Sequence, residues 1–179
     1  MFIKRSEHPE DPWSGHVAFP GGGFESLDNN RKETSIRESY EEVGINLNES
    51  NFKQFVSEVV SKKSFKNSKL SIKSYLFYSA VRPRFFDVSE VSDVFDIDVE
   101  AFFEERYYIR RAVNPNEPPQ FGFLTEKSKY FIWGITLAIL LDFLSRQFPE
   151  KIEKLNFFEE WQVRKNKYLS FYTTEKISN

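Results

Sequence analysis

Glu38, Glu41 and Glu42 put three carboxylates into one short stretch, and a run of three glycines, Gly21, Gly22 and Gly23, precedes them. On an α-helix these glutamates stand at i, i+3 and i+4 and share a face. Like charges at that spacing cost about 0.2–0.5 kcal/mol per pair. A hard divalent cation offsets the repulsion, because Mg2+ and Mn2+ prefer carboxylate oxygens. Glycines ahead of a helix let backbone approach a phosphate or metal closely and offer N–H donors to anions. Three glutamates alone are most often a solvated acidic helix face; the glycine-rich entry shifts the reading toward a site.

The helix that must carry them is expected over Asn30 to Val43. Asp28, Asn29 and Asn30 are N-cap types, and Gly44 stands where a left-handed residue ends a helix. Ile36, Tyr40 and Val43 fall on one stripe, with the glutamates on the opposite one. Arg37 offsets part of the acidic repulsion.

The chain has 179 residues and a formal charge of −2. That length suits one domain with a proper core, here 1–179 with 150–179 as a C-terminal helical extension. The near-balanced charge gives no bulk electrostatic case for nucleic-acid binding. Cys is absent, which excludes disulfides, thiolate nucleophiles and Cys-based zinc sites. With 20 Phe the core should be rich in aromatic rings, some of them free to line a pocket. The first residues lack the apolar run of a signal peptide. Ile177-Ser178-Asn179 is not a peroxisomal address. The run from Phe131 to Leu141, stopped by Asp142, is too short for a bilayer. No membrane association is expected.

Along the chain, Phe2-Ile3-Lys4-Arg5 reads as the tail of a strand, so the N-terminal strand is read as truncated, at some cost to stability. Ser6 to Ser14 reads as a loop, marked by Pro9 and Pro12. Gly15 to Phe19 reads as a short strand. There His16 is a candidate site residue, although a histidine held at a strand edge by backbone hydrogen bonds is the commoner outcome. Strands are expected over Phe52–Val60, Ser71–Arg82, Val94–Ile97 and Tyr107–Val113, with a polar turn over Ser61–Ser71. Asn114–Phe123 reads as a loop, Lys129–Arg146 as a long helix ended by Pro149, and Ile152–Lys167 as a charged helix. Strands interleaved with helices suggest an α/β fold, a mixed sheet between helices in an α/β/α sandwich.

The segment from Gly23 to Ile45 resembles the Nudix box, G-x5-E-x7-R-E-U-x-E-E-x-G-U, where U is a bulky apolar residue. Arg37, Glu38, Glu41, Glu42, Gly44 and Ile45 match it. Asn29 replaces the first glutamate of the pattern, a role Asp28 can take, and Ser39 replaces the first apolar residue. The stretch from Asp11 to Gly22, Pro118-Pro119-Gln120-Phe121 and Phe131 to Thr136 is similar to the coenzyme A diphosphatase-like branch. Resemblance thus covers roughly residues 2 to 146. That branch carries an arginine where this chain has Asp11, and the loop here is one residue longer, so reaction type carries over better than substrate.

The resemblance implies a Nudix-type α/β/α sandwich that hydrolyses a diphosphate bond in a nucleoside diphosphate derivative, with coenzyme A or a related compound as first candidate. It implies Mg2+ or Mn2+ held by Glu38, Glu41 and Glu42. One of these, or Glu90 on the loop after the central strand, serves as general base, although a plain loop carboxylate is an equal reading of Glu90. Gly21, Gly22 and Gly23 would meet substrate, a carbonyl of Gly21 or Gly22 completing the metal shell. Arg37 would pair with a glutamate and orient the helix. Phe121 and Trp133 either stack on a base or pack the core, core being favoured for Trp133. A cytoplasmic protein is expected, with mitochondrion or peroxisome allowed by the resemblance, and a homodimer is left open. Two alternatives stand: another nucleoside diphosphate-linked substrate, or a Nudix-fold module that binds without hydrolysing.

Overall fold

The computed structural model describes residues 1–11, 13–65, 68–83, 85–124 and 129–172. Pro12, the turn positions 66 and 67, and the C-terminal Ile177-Ser178-Asn179 lie outside the described residues. In order, the elements are β1 (Phe2–Arg5), β2 (Val17–Ala18), α1 (Arg31–Val43), β3 (Phe52–Phe65), β4 (Ser68–Phe77), β5 (Val91–Phe95), β6 (Tyr108–Arg111), β7 (Gln120–Phe123), β8 (Ile132–Trp133), α2 (Gly134–Gln147), α3 (Pro149–Ile152), α4 (Phe158–Tyr168) and β9 (Leu169–Tyr172).

The α/β character expected from the sequence is present. Among the described residues the strands form three antiparallel ladders, in the orders β2-β1-β5, β4-β3-β9 and β6-β7-β8, where one mixed sheet was expected. β2 and β8 are only two residues long, so each extends its ladder briefly before the chain turns away.

Several expected boundaries move, and three strands grow because a distant partner completes their backbone hydrogen bonds. β3 runs on through Ser61–Phe65, read as turn, because β4 and β9 both pair with it. β4 ends at Phe77 rather than Arg82. β5 begins at Val91, three residues before the expected Val94, against β1. Gln120–Phe123, read as loop, is β7, paired with β6 and β8. The expected helix from Lys129 starts only at Gly134, after β8, where a φ of 63° turns strand into helix. As expected, the helix continues through Asp142, which is buried within it and accepts from Arg146 Nη2 at 2.8 Å. Pro149 opens the short α3, which ends at Ile152, and the helix expected over Ile152–Lys167 is α4, starting only at Phe158.

β1 organises the interior. Side chains of a strand alternate between faces, and its two apolar residues feed different clusters. Phe2 joins the main core with Val17, Val59, Phe102, Phe123 and the α2 residues Leu137, Leu141 and Leu144. Ile3 joins a smaller cluster with Val43, Ile45, Leu47 and Val91. The second cluster fastens the C-terminal end of α1 onto the β1–β5 ladder, which brings the glutamates of α1 beside the end of β1. Among the described residues, no helix is long and apolar enough to cross a membrane.

Candidate active site

α1 forms for local reasons. The Asn30 side chain accepts from the backbone N–H of Lys32 and Glu33, and Gly44 closes the helix in the left-handed region at φ 65°. Its buried face is Thr34, Glu38, Ser39, Glu42 and Val43. Tyr40, expected on the buried stripe, is exposed instead and meets Phe85 edge-on at 6.1 Å. The helix turns through about 100° per residue, and the face pressed inward is the one that carries Glu38 and Glu42. The acidic face is therefore not a solvated one.

The glycine loop closes over these carboxylates. The Gly21 N–H donates to Glu42 Oε2 at 2.8 Å. A Cβ at Gly22 would sit 2.3 Å from Glu38 Oε1, so only glycine leaves the carboxylate its place. Gly23 offers its carbonyl to Arg37 Nη2 at 2.9 Å. Arg37 is the hub of the loop. It donates through Nε and Nη2 to Asp28, both at 3.1 Å, and through Nη1 to Glu41 Oε2 at 2.7 Å, while lying 3.1 Å from Glu38 Oε1. Arg37 was expected to pair with a glutamate; it meets Glu41 and Glu38, and Asp28 as well. Asn29 bonds Glu33 instead.

Glu41, expected beside Glu42 in the metal set, gives its carboxylate to Arg37 and stays half exposed. Glu90 arrives from the other side. The Asp87 N–H donates to the Glu42 carbonyl at 3.1 Å, Val91 N–H closes back on the Asp87 carbonyl at 2.7 Å, and the Ser6 N–H donates to the Glu90 carbonyl at 2.8 Å. The loop before β5 is thereby tied both to the end of α1 and to the end of β1. A cleft of about 350 Å3 results, lined by Gly21, Gly22, Gly23, Glu38, Glu42 and Glu90, with Arg5, Ser6, His8, Asp11 and Ser89 on its remaining wall. A larger groove of about 1920 Å3 meets it, sharing Arg5 and the three glycines.

Burial pushes the Glu42 carboxyl up to about 7, with the charges of Glu38 and Glu90 adding and the Gly21 N–H opposing. Burial likewise raises Glu38, with Arg37 opposing. The Asp28 carboxyl is held far below its ordinary 3.8 by the Arg37 hydrogen bonds, then by the Glu25 N–H. A lowered carboxyl contributes stability that is complete above its unfolded value and lost as pH falls through the folded one. Asp28→Asn is accordingly expected to flatten the acid limb of a plot of Tm against pH while changing the neutral region less. An unchanged acid limb would show that this pair does not support α1.

The carboxylate oxygens of Glu38, Glu42 and Glu90 and the close cradle at Gly22 suit a hard divalent cation in kind. Among the described residues no three His, Asp or Glu side chains converge as a finished ligand set, and Glu41, the remaining glutamate of the expected set, is drawn onto Arg37.

The other sequence candidates separate. His16 lines the larger groove, not the acidic cleft. Its N–H donates to the Trp13 carbonyl, its carbonyl accepts from Arg5, and its ring lies 4.8 Å from that of Trp133. Burial and then the Lys4 charge lower its pKa. Trp133 belongs to β8 rather than mid-helix and borders the groove. Phe121 stacks on Tyr108 at 5.9 Å and also borders it. Arg5 and Asp11 were not singled out as site residues. Their signal was positional: Arg5 ends the strand on which the α1 cluster is built, and Asp11 stands where the resembling branch has arginine.

Residues 1–113 match the NUDIX domain model, and the chain belongs to that family. It is similar to the uncharacterized Nudix hydrolase NudL of Pectobacterium atrosepticum, 29% identical over 129 residues, 71% of this chain and 64% of that protein. An uncharacterized protein of Schizosaccharomyces pombe is 47% identical over 47 residues, 26% of this chain and 14% of that protein. The chain therefore spans less than two thirds of either relative. The enzyme class expected from the sequence, a Nudix hydrolase, accords with this membership.

Proposed function

We propose that the chain hydrolyses the diphosphate bond of a nucleoside diphosphate derivative, coenzyme A or a related compound being the first candidate. The observation that carries this is the closure of the glycine loop on α1: Gly21 N–H on Glu42, and no room for a side chain between Gly22 and Glu38. Such a loop can bring backbone against a phosphate while two buried carboxylates stand directly behind it.

Glu38 and Glu42 would hold Mg2+ or Mn2+, with Glu41 the third glutamate of the set once it is free of Arg37. When bound, the ion would neutralise phosphate charge and lower the pKa of water. Glu90, which lines the cleft with Glu38 and Glu42, would take the proton of the attacking water. Arg37 keeps the loop and helix in register through Gly23 and Asp28. The larger groove, bordered by Phe121 and Trp133, has room for the rest of the substrate.

A panel of coenzyme A, its dephospho form, dinucleotides and sugar nucleotides with Mg2+ or Mn2+, read as released phosphate after phosphatase treatment, tests this reading. Turnover of coenzyme A or of its dephospho form supports it in full. Turnover of a dinucleotide alone redirects the substrate. Binding without any turnover would mean a non-hydrolytic nucleotide module.

A further inference from the structure

The acidic cleft has one lysine or arginine side chain among its described lining residues, Arg5. Arg5 also lines the larger groove, so this residue stands where the two spaces meet. That cation is already engaged. Its Nη2 and Nε donate to Asp11 Oδ2 at 2.7 and 3.2 Å. Asp11 is fixed in turn, because its Oδ1 accepts the Trp13 N–H at 2.9 Å. Its side chain is only 19% exposed, yet it reaches the cleft wall. The loop between β1 and β2 adds Glu7 and Glu10 and contains no lysine or arginine.

We propose that Asp11 is a specificity-determining residue of the hydrolysis inferred above, selecting diphosphates that carry no additional phosphate monoester. The inference rests on that hydrolytic reading and narrows its substrate: within the coenzyme A class it favours the dephospho form over coenzyme A itself. A diphosphate needs only the glycine loop and the α1 side of the cleft. A further phosphate monoester adds nearly two negative charges at neutral pH, and one held where cleft meets groove would need a free cation there; Arg31, Lys73, Arg82 and Arg110 line the groove but not the cleft. Arg5 is the cation there, and Asp11 neutralises it. The carboxylate beside it repels a second anion, and such repulsion acts as discrimination more than as affinity.

The test compares two pairs that differ by one phosphate monoester, dephospho-coenzyme A with coenzyme A and NADH with NADPH. The wild-type chain is expected to favour the member without the extra phosphate in kcat/KM by about tenfold or more. Asp11→Asn keeps an acceptor for the Trp13 N–H but removes the charge, and should collapse that ratio through KM. Asp11→Glu should retain it. A merely structural Asp11 would lower both members of a pair together and leave the ratio unmoved. An unmoved ratio, or a wild-type preference for the phosphate-rich member, overturns the proposal. Calorimetric binding of the same four compounds in Ca2+ separates the two readings. A binding ratio that shifts in Asp11→Asn without any turnover leaves the selectivity standing and removes the hydrolysis. Turnover with an unshifted ratio does the reverse, and failure to bind or turn over any of the four overturns both.

Discussion

Glu42→Gln is expected to reduce metal-dependent turnover by about 10²–10⁴-fold while leaving the chain folded. Glu42 is 2% exposed and faces the loop that would meet phosphate. Gln is nearly isosteric and keeps an oxygen to accept the Gly21 N–H, so the loop has no reason to open. Stability separates loss of chemistry from loss of fold. Burial raises this carboxyl from 4.5 to about 7, so its protonated form is the one the fold tolerates better. The associated stabilisation is complete below about pH 4.5 and is lost as pH rises through about 7. A neutral Gln avoids that loss, so without metal the variant should melt no lower than wild type at pH 8. Wild type should gain in Tm when Mn2+ is added, and the variant should gain much less. Wild-type turnover in Glu42→Gln would remove the buried carboxylates from the mechanism.

Gly22→Ala should impair turnover about as strongly as moving a reacting group by 1 Å, roughly 10²-fold, with little change in Tm. The added Cβ would lie 2.3 Å from Glu38 Oε1, 2.5 Å from Cδ and 2.7 Å from Oε2. All three atoms belong to the end of a flexible side chain. The carboxylate can swing away cheaply, so the fold survives, but the swing takes it out of the cleft. Calorimetric Mn2+ affinity should fall together with kcat. Retained activity and affinity would show that the close approach of Gly22 to Glu38 is incidental.

Much of the site could be read without a structure because it is built from contacts close in sequence. The caps of α1, Asn30 and Gly44, act within a turn of the helix they bound. The spacing of Glu38 and Glu42 places both on one helix face, and Asp28, Thr34 and Arg37 find one another across a few residues. Here local geometry leaves few choices, and membership of the Nudix family follows from the same stretch.

Tertiary structure decided where each acid lies. Glu38 and Glu42 turn inward because Val43 and Ile45 pack against Ile3 and Val91, residues remote in the chain. Glu41, of the same type and on the same helix, turns to Arg37 instead. Arg5, Asp11 and Glu90 enter the site only through the pairing of β1 with β5 and the Ser6–Glu90 backbone bond. The strand in Gln120–Phe123 and the division into three ladders have the same origin. A helix closes its hydrogen bonds on itself, whereas a strand or a cleft wall needs a distant partner, and no local pattern of residues names that partner.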